Sequence, residues 1–232
     1  MSDWLPEVAS TFGPKIDHLF YIILYLTGGS FIVTEALLFY FAFKYRSRKD
    51  RRAHYTHGNN TLEIVWTVVP AVVLVVLTFM SKSVWDEVRH TWPKTDVNLL
   101  ITASQFTWEV RYPGTDEKFE TADDVVLTNE MHVPVGKPVH IQLRSKDVLH
   151  SFFLPNMRVK QDAVPGLTIP VWFEATKTGD FEIACAELCG FGHYTMHGAL
   201  TVHAAEEYKT WLEEAQKSAS PAQEAAPFDG PA

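Results

Sequence analysis

Two cysteines, a histidine and a methionine fall within twelve residues of this chain: Cys185, Cys189, His193 and Met196, in the run Cys-Ala-Glu-Leu-Cys-Gly-Phe-Gly-His-Tyr-Thr-Met. No other cysteine occurs among the 232 residues. Thiolate and thioether sulfur favour Cu(I), and imidazole suits either copper oxidation state, so the donor set points to copper first. Zinc would accept the cysteines and the histidine but has little use for a methionine. The competing reading is a disulfide between Cys185 and Cys189, which so short a loop would strain. Met196 alone would read as core filler. Its place three residues after His193 makes it a ligand candidate instead.

The elements that must carry this run are of two kinds. From Ile16 to Phe43 the sequence is almost wholly apolar and aromatic, and it stops at Lys44, Arg46, Arg48, Lys49, Arg51 and Arg52. A second apolar stretch runs from Leu62 to Met80. Each is long enough for the ~20 residues that cross a bilayer as a helix. Transmembrane spans are therefore expected at about 16–43 and 62–82, joined by a basic loop, 44–61, on the cytoplasmic side. The N-terminus and the metal run would then lie on the opposite, periplasmic or intermembrane, face. The N-terminus lacks a short basic start and small-residue cleavage site, so the first span is expected to be retained. Glu35 and Glu63 interrupt the apolar pattern, and a carboxylate at membrane depth faces protein or a water-filled path rather than lipid. Pro70 suggests a kink in the second span.

From Val97 onward the composition changes to short β-branched and aromatic stretches. Strands are expected at Val97–Phe106, Thr107–Tyr112, Val125–Leu127, Val139–Leu143, Ile169–Glu174, Asp180–Ala184 and Ala199–Val202, with turns at Pro113-Gly114, Val135–Pro138, Pro165-Gly166 and Thr178–Asp180. This spacing argues for an all-β antiparallel Greek-key sandwich over 93–205, after an N-terminal segment and helical hairpin over 1–92. In 206–232, Tyr208, Trp211, Leu212 and Ala215 share one face of a short helix from Glu206 to Lys217. The Pro/Ala/Glu composition beyond Ser218 reads as disordered.

A metal loop joining the last two strands of such a sandwich resembles the cupredoxin arrangement, in which one histidine comes from well upstream. His140 lies inside an expected strand, and His132, before Val-Pro, is expected in a surface turn. His150, at the end of a strand, is the choice. Two cysteines suggest a dinuclear centre bridged by both sulfurs. Each copper would take one of His150 and His193, with Met196 sulfur and the Glu187 carbonyl as weaker ligands. A closed ligand set suits electron transfer rather than substrate chemistry.

With Leu62–Pro70, Asp147–Phe152, Asp162–Gly166 and Cys185–Met196 in place, the chain resembles subunit II of haem-copper terminal oxidases, the cytochrome c oxidase type with a dinuclear copper A centre. The resemblance runs from the first span to about Trp211. It implies copper ligands His150, Cys185, Glu187 through its carbonyl, Cys189, His193 and Met196, and a magnesium ion shared with subunit I on the Glu187 side chain. It also implies that Glu63 sits at the mouth of a proton path. The implied function is to take electrons from a c-type cytochrome and pass them to haem in subunit I of a proton-pumping oxidase, with subunit III as a further partner. No haem is expected in this chain and no nucleic-acid partner; membrane lipid surrounds the hairpin.

The family's Gln-Trp-x-Trp stretch reads Gln105-Phe106-Thr107-Trp108 here, so Phe106 replaces the exposed tryptophan over the copper site. Phe106 and Trp108 are the aromatic candidates for receiving electrons. Over 93–205, fourteen carboxylates face nine lysines and arginines, a formal charge of -5. Such a face would steer a basic cytochrome, less strongly as salt rises. Rival readings are a copper-free scaffold subunit of a quinol oxidase, which the intact ligand set disfavours, and a membrane-anchored copper chaperone, which would need exposed, exchangeable ligands.

Overall fold

The computed structural model describes residues 4–218 except 50, 53 and 96, so the expected disordered tail lies outside the described residues from 219 on. Two units emerge, residues 15–90 and a second one formed by residues 4–14 with 91–218.

The first unit is a helical hairpin. Helix α1 spans Gly13–Lys44 and α2 spans Asn60–Arg89, each longer than the apolar stretch that defines it. Asn59 caps α2, its side-chain oxygen accepting from the Thr61 and Leu62 amides at 3.0 and 3.2 Å. Pro70 lies within α2, where it removes one amide donor from the helical ladder. Lys15 donates to Glu87 at 2.6 Å, tying the start of α1 to the end of α2. None of the apolar windows of the two helices is buried. Apolar surface exposed all round two long helices is what a bilayer or partner helices would cover. The chain is a membrane protein.

The second unit is a two-layer β-sandwich. Its strands are β1 (Val97–Ser104), β2 (Thr107–Tyr112), β3 (Val125–Thr128), β4 (Glu130–Pro134), β5 (Pro138–Ser145), β6 (His150–Leu154), β7 (Val159–Ala163), β8 (Ile169–Glu174), β9 (Gly179–Cys185) and β10 (His197–His203). One sheet has the order β3-β2-β1-β5-β8 and the other β4-β10-β9-β6-β7. Alternation of apolar and polar residues sets the faces: in β5, Val139, Ile141 and Leu143 point inward between polar neighbours. The core between the sheets includes Leu99, Ile101, Trp108, Val110, Met131, Phe152, Phe173 and Leu200.

The structure corrects the expected strand pattern at four points. The sheets are mixed rather than antiparallel throughout, because β1 pairs with β5, and β4 with β10, in parallel. β4, β6 and β7 were not among the expected strands: β6 is buried at four of its five positions and β7 has three polar residues in its middle, so neither alternates. His132 lies within β4 rather than in a surface turn, and His150 begins β6 rather than ending a strand. The first strand stops at Ser104: Ser104 pairs with Thr107, so Gln105 and Phe106 form a two-residue hairpin turn.

The N-terminal segment belongs to the sandwich, not to the hairpin with which the sequence division grouped it. The Ala9 amide donates to the Asn156 carbonyl and the Thr176 amide to the Ala9 carbonyl, both at 2.8 Å. Phe12 meets Trp172 edge-on at 5.4 Å. At the other end, α3 (Ala205–Ser218) lays Tyr208 and Trp211 on the sandwich, Trp211 stacking on His132 at 4.2 Å.

Candidate metal centre

Three loops meet at one end of the sandwich: the β1–β2 turn, the β5–β6 connection and the long β9–β10 connection. Cys185 closes β9 and Met196 immediately precedes β10, while the Cys185 amide donates to the Met196 carbonyl at 3.1 Å and pins the two ends of the loop together. Within the loop, short turns at His193–Thr195 and around Gly190 fold the chain back on itself.

The expected donors converge. Ligand atoms of His150, Cys185 and Cys189 lie within 4.8 Å of one another. The two sulfurs are 3.8 Å apart, well beyond the ~2.05 Å of a disulfide, and both cysteines are free. Nδ1 of His150 is 4.0 Å from Cys185 Sγ, and the Glu187 carbonyl accepts from that thiol at 3.3 Å. Nδ1 of His193 is 3.6 Å, and Sδ of Met196 3.8 Å, from Cys189 Sγ. Each sulfur thus has one imidazole nitrogen and one weak donor beside it. Two sulfurs, two imidazole nitrogens and two weak donors make a set that fits soft metal ions such as copper.

Burial and hydrogen bonding prepare the donors. His150 is fully buried, and its Nε2 lies 2.8 Å from Oδ1 of Asp147. A carboxylate offers only acceptors, so Nε2 carries the proton and donates, and the Nδ1 lone pair is left facing the sulfurs. Asp147 also accepts from the Val148 and Gln105 amides, each at 2.7 Å. Burial works to raise its carboxyl, but the His150 bond and these amides prevail and hold it below its ordinary range. Burial, then the neighbouring Cys185, pushes the Cys189 thiol up to about 11. The metal-free site therefore holds protons that a metal must displace, which couples metal affinity to pH.

The aromatic candidates separate. Phe106 is half-buried at the tip of its turn, and its ring lies against the loop backbone. A Cβ on Gly192 would come within 2.5 Å of the Phe106 ring and one on Gly190 within 3.2 Å. Trp108 is fully buried, edge-on to His150 at 6.2 Å and to Phe152 at 5.4 Å. Trp108 thus lies in the core behind His150, with no exposed surface of its own, whereas Phe106 is partly exposed. Glu63 lies in the other unit, exposed on one face of α2 beside Asn60, Ile64, Thr67 and Val68, where these side chains border a shallow, open depression.

Sequence reasoning did not assign roles to Asp147 and Gln105. Asp147 stands three residues before His150, a spacing that carries no signal outside a known turn. Gln105 is 84 residues from the Cys189 carbonyl that it reaches, and only the fold reveals that contact.

The family model for the cytochrome c oxidase subunit II periplasmic domain matches residues 95–203, and that for its transmembrane domain matches residues 2–84. An alternative cytochrome c oxidase subunit 2 of Bradyrhizobium diazoefficiens is 34% identical over 91% of this chain and 83% of its own length. The chain belongs to the cytochrome c oxidase subunit II family. Cytochrome c oxidase subunit 2 of Cereibacter sphaeroides is 32% identical over 90% of this chain and 78% of its own. The crystal structure of the periplasmic domain of cytochrome oxidase subunit II from Bradyrhizobium japonicum covers 56% of this chain and all of its own, with 34% identity and a TM-score of 0.50. As a subunit II, this chain is part of a haem-copper oxidoreductase complex, and its family implies a copper A centre where His150, Cys185 and Cys189 meet.

Proposed function

We propose that this chain receives electrons one at a time from a c-type cytochrome over the turn that carries Phe106. A pair of copper ions held by this chain would supply the one-electron store between that cytochrome and haem in subunit I, where oxygen is reduced and protons are pumped. The copper ligands are His150, Cys185, the Glu187 carbonyl, Cys189, His193 and Met196. When bound, the copper pair supplies a site that takes up and releases one electron with little change of geometry. The protein's part is to hold the donors before any metal arrives. Asp147 fixes the His150 tautomer and ring orientation, the Cys185 amide closes the loop, and Trp108, itself packed on Phe152, walls His150 from water. The donor atoms of His150, Cys185 and Cys189 within 4.8 Å of one another carry this reading.

Three finer assignments accompany it. The Glu187 side chain, whose carbonyl faces Cys185, is free to hold a magnesium ion shared with subunit I, as hard oxygen donors suit. Glu63 serves the mouth of a proton path, supported by its place at the start of a long apolar helix, beside the polar side chains of Asn60 and Thr67. The cationic cluster from Lys44 to Arg52 favours a cytoplasmic loop, with the β-sandwich on the opposite side of the membrane.

The test is to purify the full oxidase, determine copper per subunit II, and reduce it with a c-type cytochrome. Two coppers per chain, reduced before haem, are expected. One copper, or zinc in its place, contradicts the dinuclear reading.

A further inference from the structure

We infer that Gln105 is a positioning residue that fastens the Phe106 turn onto the metal-binding loop. This inference rests on the proposal that electrons arrive over Phe106. Gln105 bonds in two directions at once. Its backbone amide donates to Asp147 Oδ2 at 2.7 Å, and its side-chain Nε2 donates to the Cys189 carbonyl at 2.6 Å. The first bond ties the turn to the carboxylate that orients His150. The second ties it to the backbone of a thiol ligand.

One two-residue turn therefore clamps the β5–β6 connection, which carries Asp147 and leads into His150, and the β9–β10 loop, which carries Cys189. The fit is close at the loop. A Cβ on Gly190 would fall 2.6 Å from Gln105 Nε2, and Gly190 has φ +137, a conformation that side chains other than hydrogen rarely adopt. A Cβ on Gly192 would meet the Phe106 ring. Phe106 follows Gln105 directly and sits between the fastened backbone and the loop, so where its ring lies is set by the Gln105 clamp. The bare backbone at Gly190 and Gly192 lets the ring come within contact distance of the residues between Cys189 and His193. Transfer between a docked donor and the site depends on that approach being held, and a displacement of about 1 Å costs rate heavily.

The experiment uses the intact oxidase with Gln105→Leu, which keeps the backbone bond to Asp147 and removes only the bond to the Cys189 carbonyl. Reduction of the copper site is timed with mammalian cytochrome c and, separately, with hexaammineruthenium(II), a small reductant that needs no docked aromatic. We expect cytochrome-driven reduction to fall about tenfold, with the small reductant, copper content and electron paramagnetic resonance spectrum unchanged. In Gln105→Leu/Phe106→Ala the rate should equal that of Phe106→Ala alone, because two residues acting through one contact are not additive. An unchanged cytochrome rate in Gln105→Leu, with a slowed Phe106→Ala, overturns the role of Gln105 alone. Equal loss with both reductants, or loss of copper, shows a merely structural bond and also overturns it. A Phe106→Ala oxidase as fast as the wild type overturns the underlying proposal about Phe106.

Discussion

His150 Nε2 donates to Asp147 Oδ1 at 2.8 Å while its Nδ1 faces Cys185 Sγ at 4.0 Å, so one buried ring connects a carboxylate to the sulfur pair. The proton on Nε2 is what leaves Nδ1 free to ligate. Asp147→Ala removes the acceptor that fixes it, and copper affinity should fall about 10- to 100-fold. Asp147→Asn, which keeps an acceptor oxygen, should lose less. Competition for copper against a chelator of known affinity reads this directly; equal affinity in Asp147→Ala would show that the ring is oriented by packing alone.

Gly192 has φ -88, so alanine there meets no backbone strain and the effect of substitution comes from space. The added methyl would overlap the Phe106 ring at 2.5 Å. Gly192→Ala should displace Phe106 and slow reduction by cytochrome c several-fold to about 100-fold, leaving two coppers per chain. Loss of copper instead would place the loop, not the ring, as the part that yields.

The C-terminal helix α3 should be sensitive to acid. Trp211 stacks on His132, and Nδ1 of His132 lies 2.8 Å from Nε2 of His203. Burial first, and then His203, holds the His132 imidazole below its ordinary range, with Glu130 and Asp180 opposing. Tyr112, whose hydroxyl bonds the His132 backbone, and Tyr208, near His203, stay neutral over this range. Because the docked form favours neutral imidazole, its stabilisation is complete above the unfolded pKa of about 6.5 and declines as pH falls below it. Decline ends once pH passes the lower, folded value. Amide exchange over residues 205–218 should therefore quicken on acidification, and His132→Gln should flatten the profile. A pH-independent rate in the wild type would contradict this.

Glu63→Gln should lower steady-state turnover of the oxidase without changing copper content or the rate at which cytochrome c reduces the site. Glu63 lies in the helical hairpin, whereas the proposed copper donors all lie in the unit that forms the sandwich. A normal turnover would place Glu63 outside the proton path, and a slowed copper reduction would contradict the separation of the two roles.

Much of this was legible in the sequence because the signals are local. The loop between β9 and β10 carries four candidate donors in twelve residues, the hairpin helices follow long apolar runs, and the face of α3 follows helical spacing. What was illegible depends on long-range pairing. Parallel pairing of β1 with β5 joins strands about forty residues apart, and nothing in either strand's alternation distinguishes it from antiparallel pairing. β6, buried at four of its five positions, and β7, polar through its middle, carry no alternation to read. Trp108 was grouped with Phe106 as a neighbour in sequence, yet the hairpin turn at 105–106 puts one ring at the surface and the other in the core. Asp147 and Gln105 act through single hydrogen bonds across loops, and polar residues in such positions look like any loop residue until the fold brings them together.

The most direct measurement is electron paramagnetic resonance of the oxidised full-length protein within its purified oxidase, with copper counted on the same sample. Two thiolates shared between two metals should give one unpaired electron spread over two equivalent copper nuclei, with two coppers per chain in addition to any in subunit I. A hyperfine pattern from a single copper nucleus, or a silent site filled by zinc, would contradict the account.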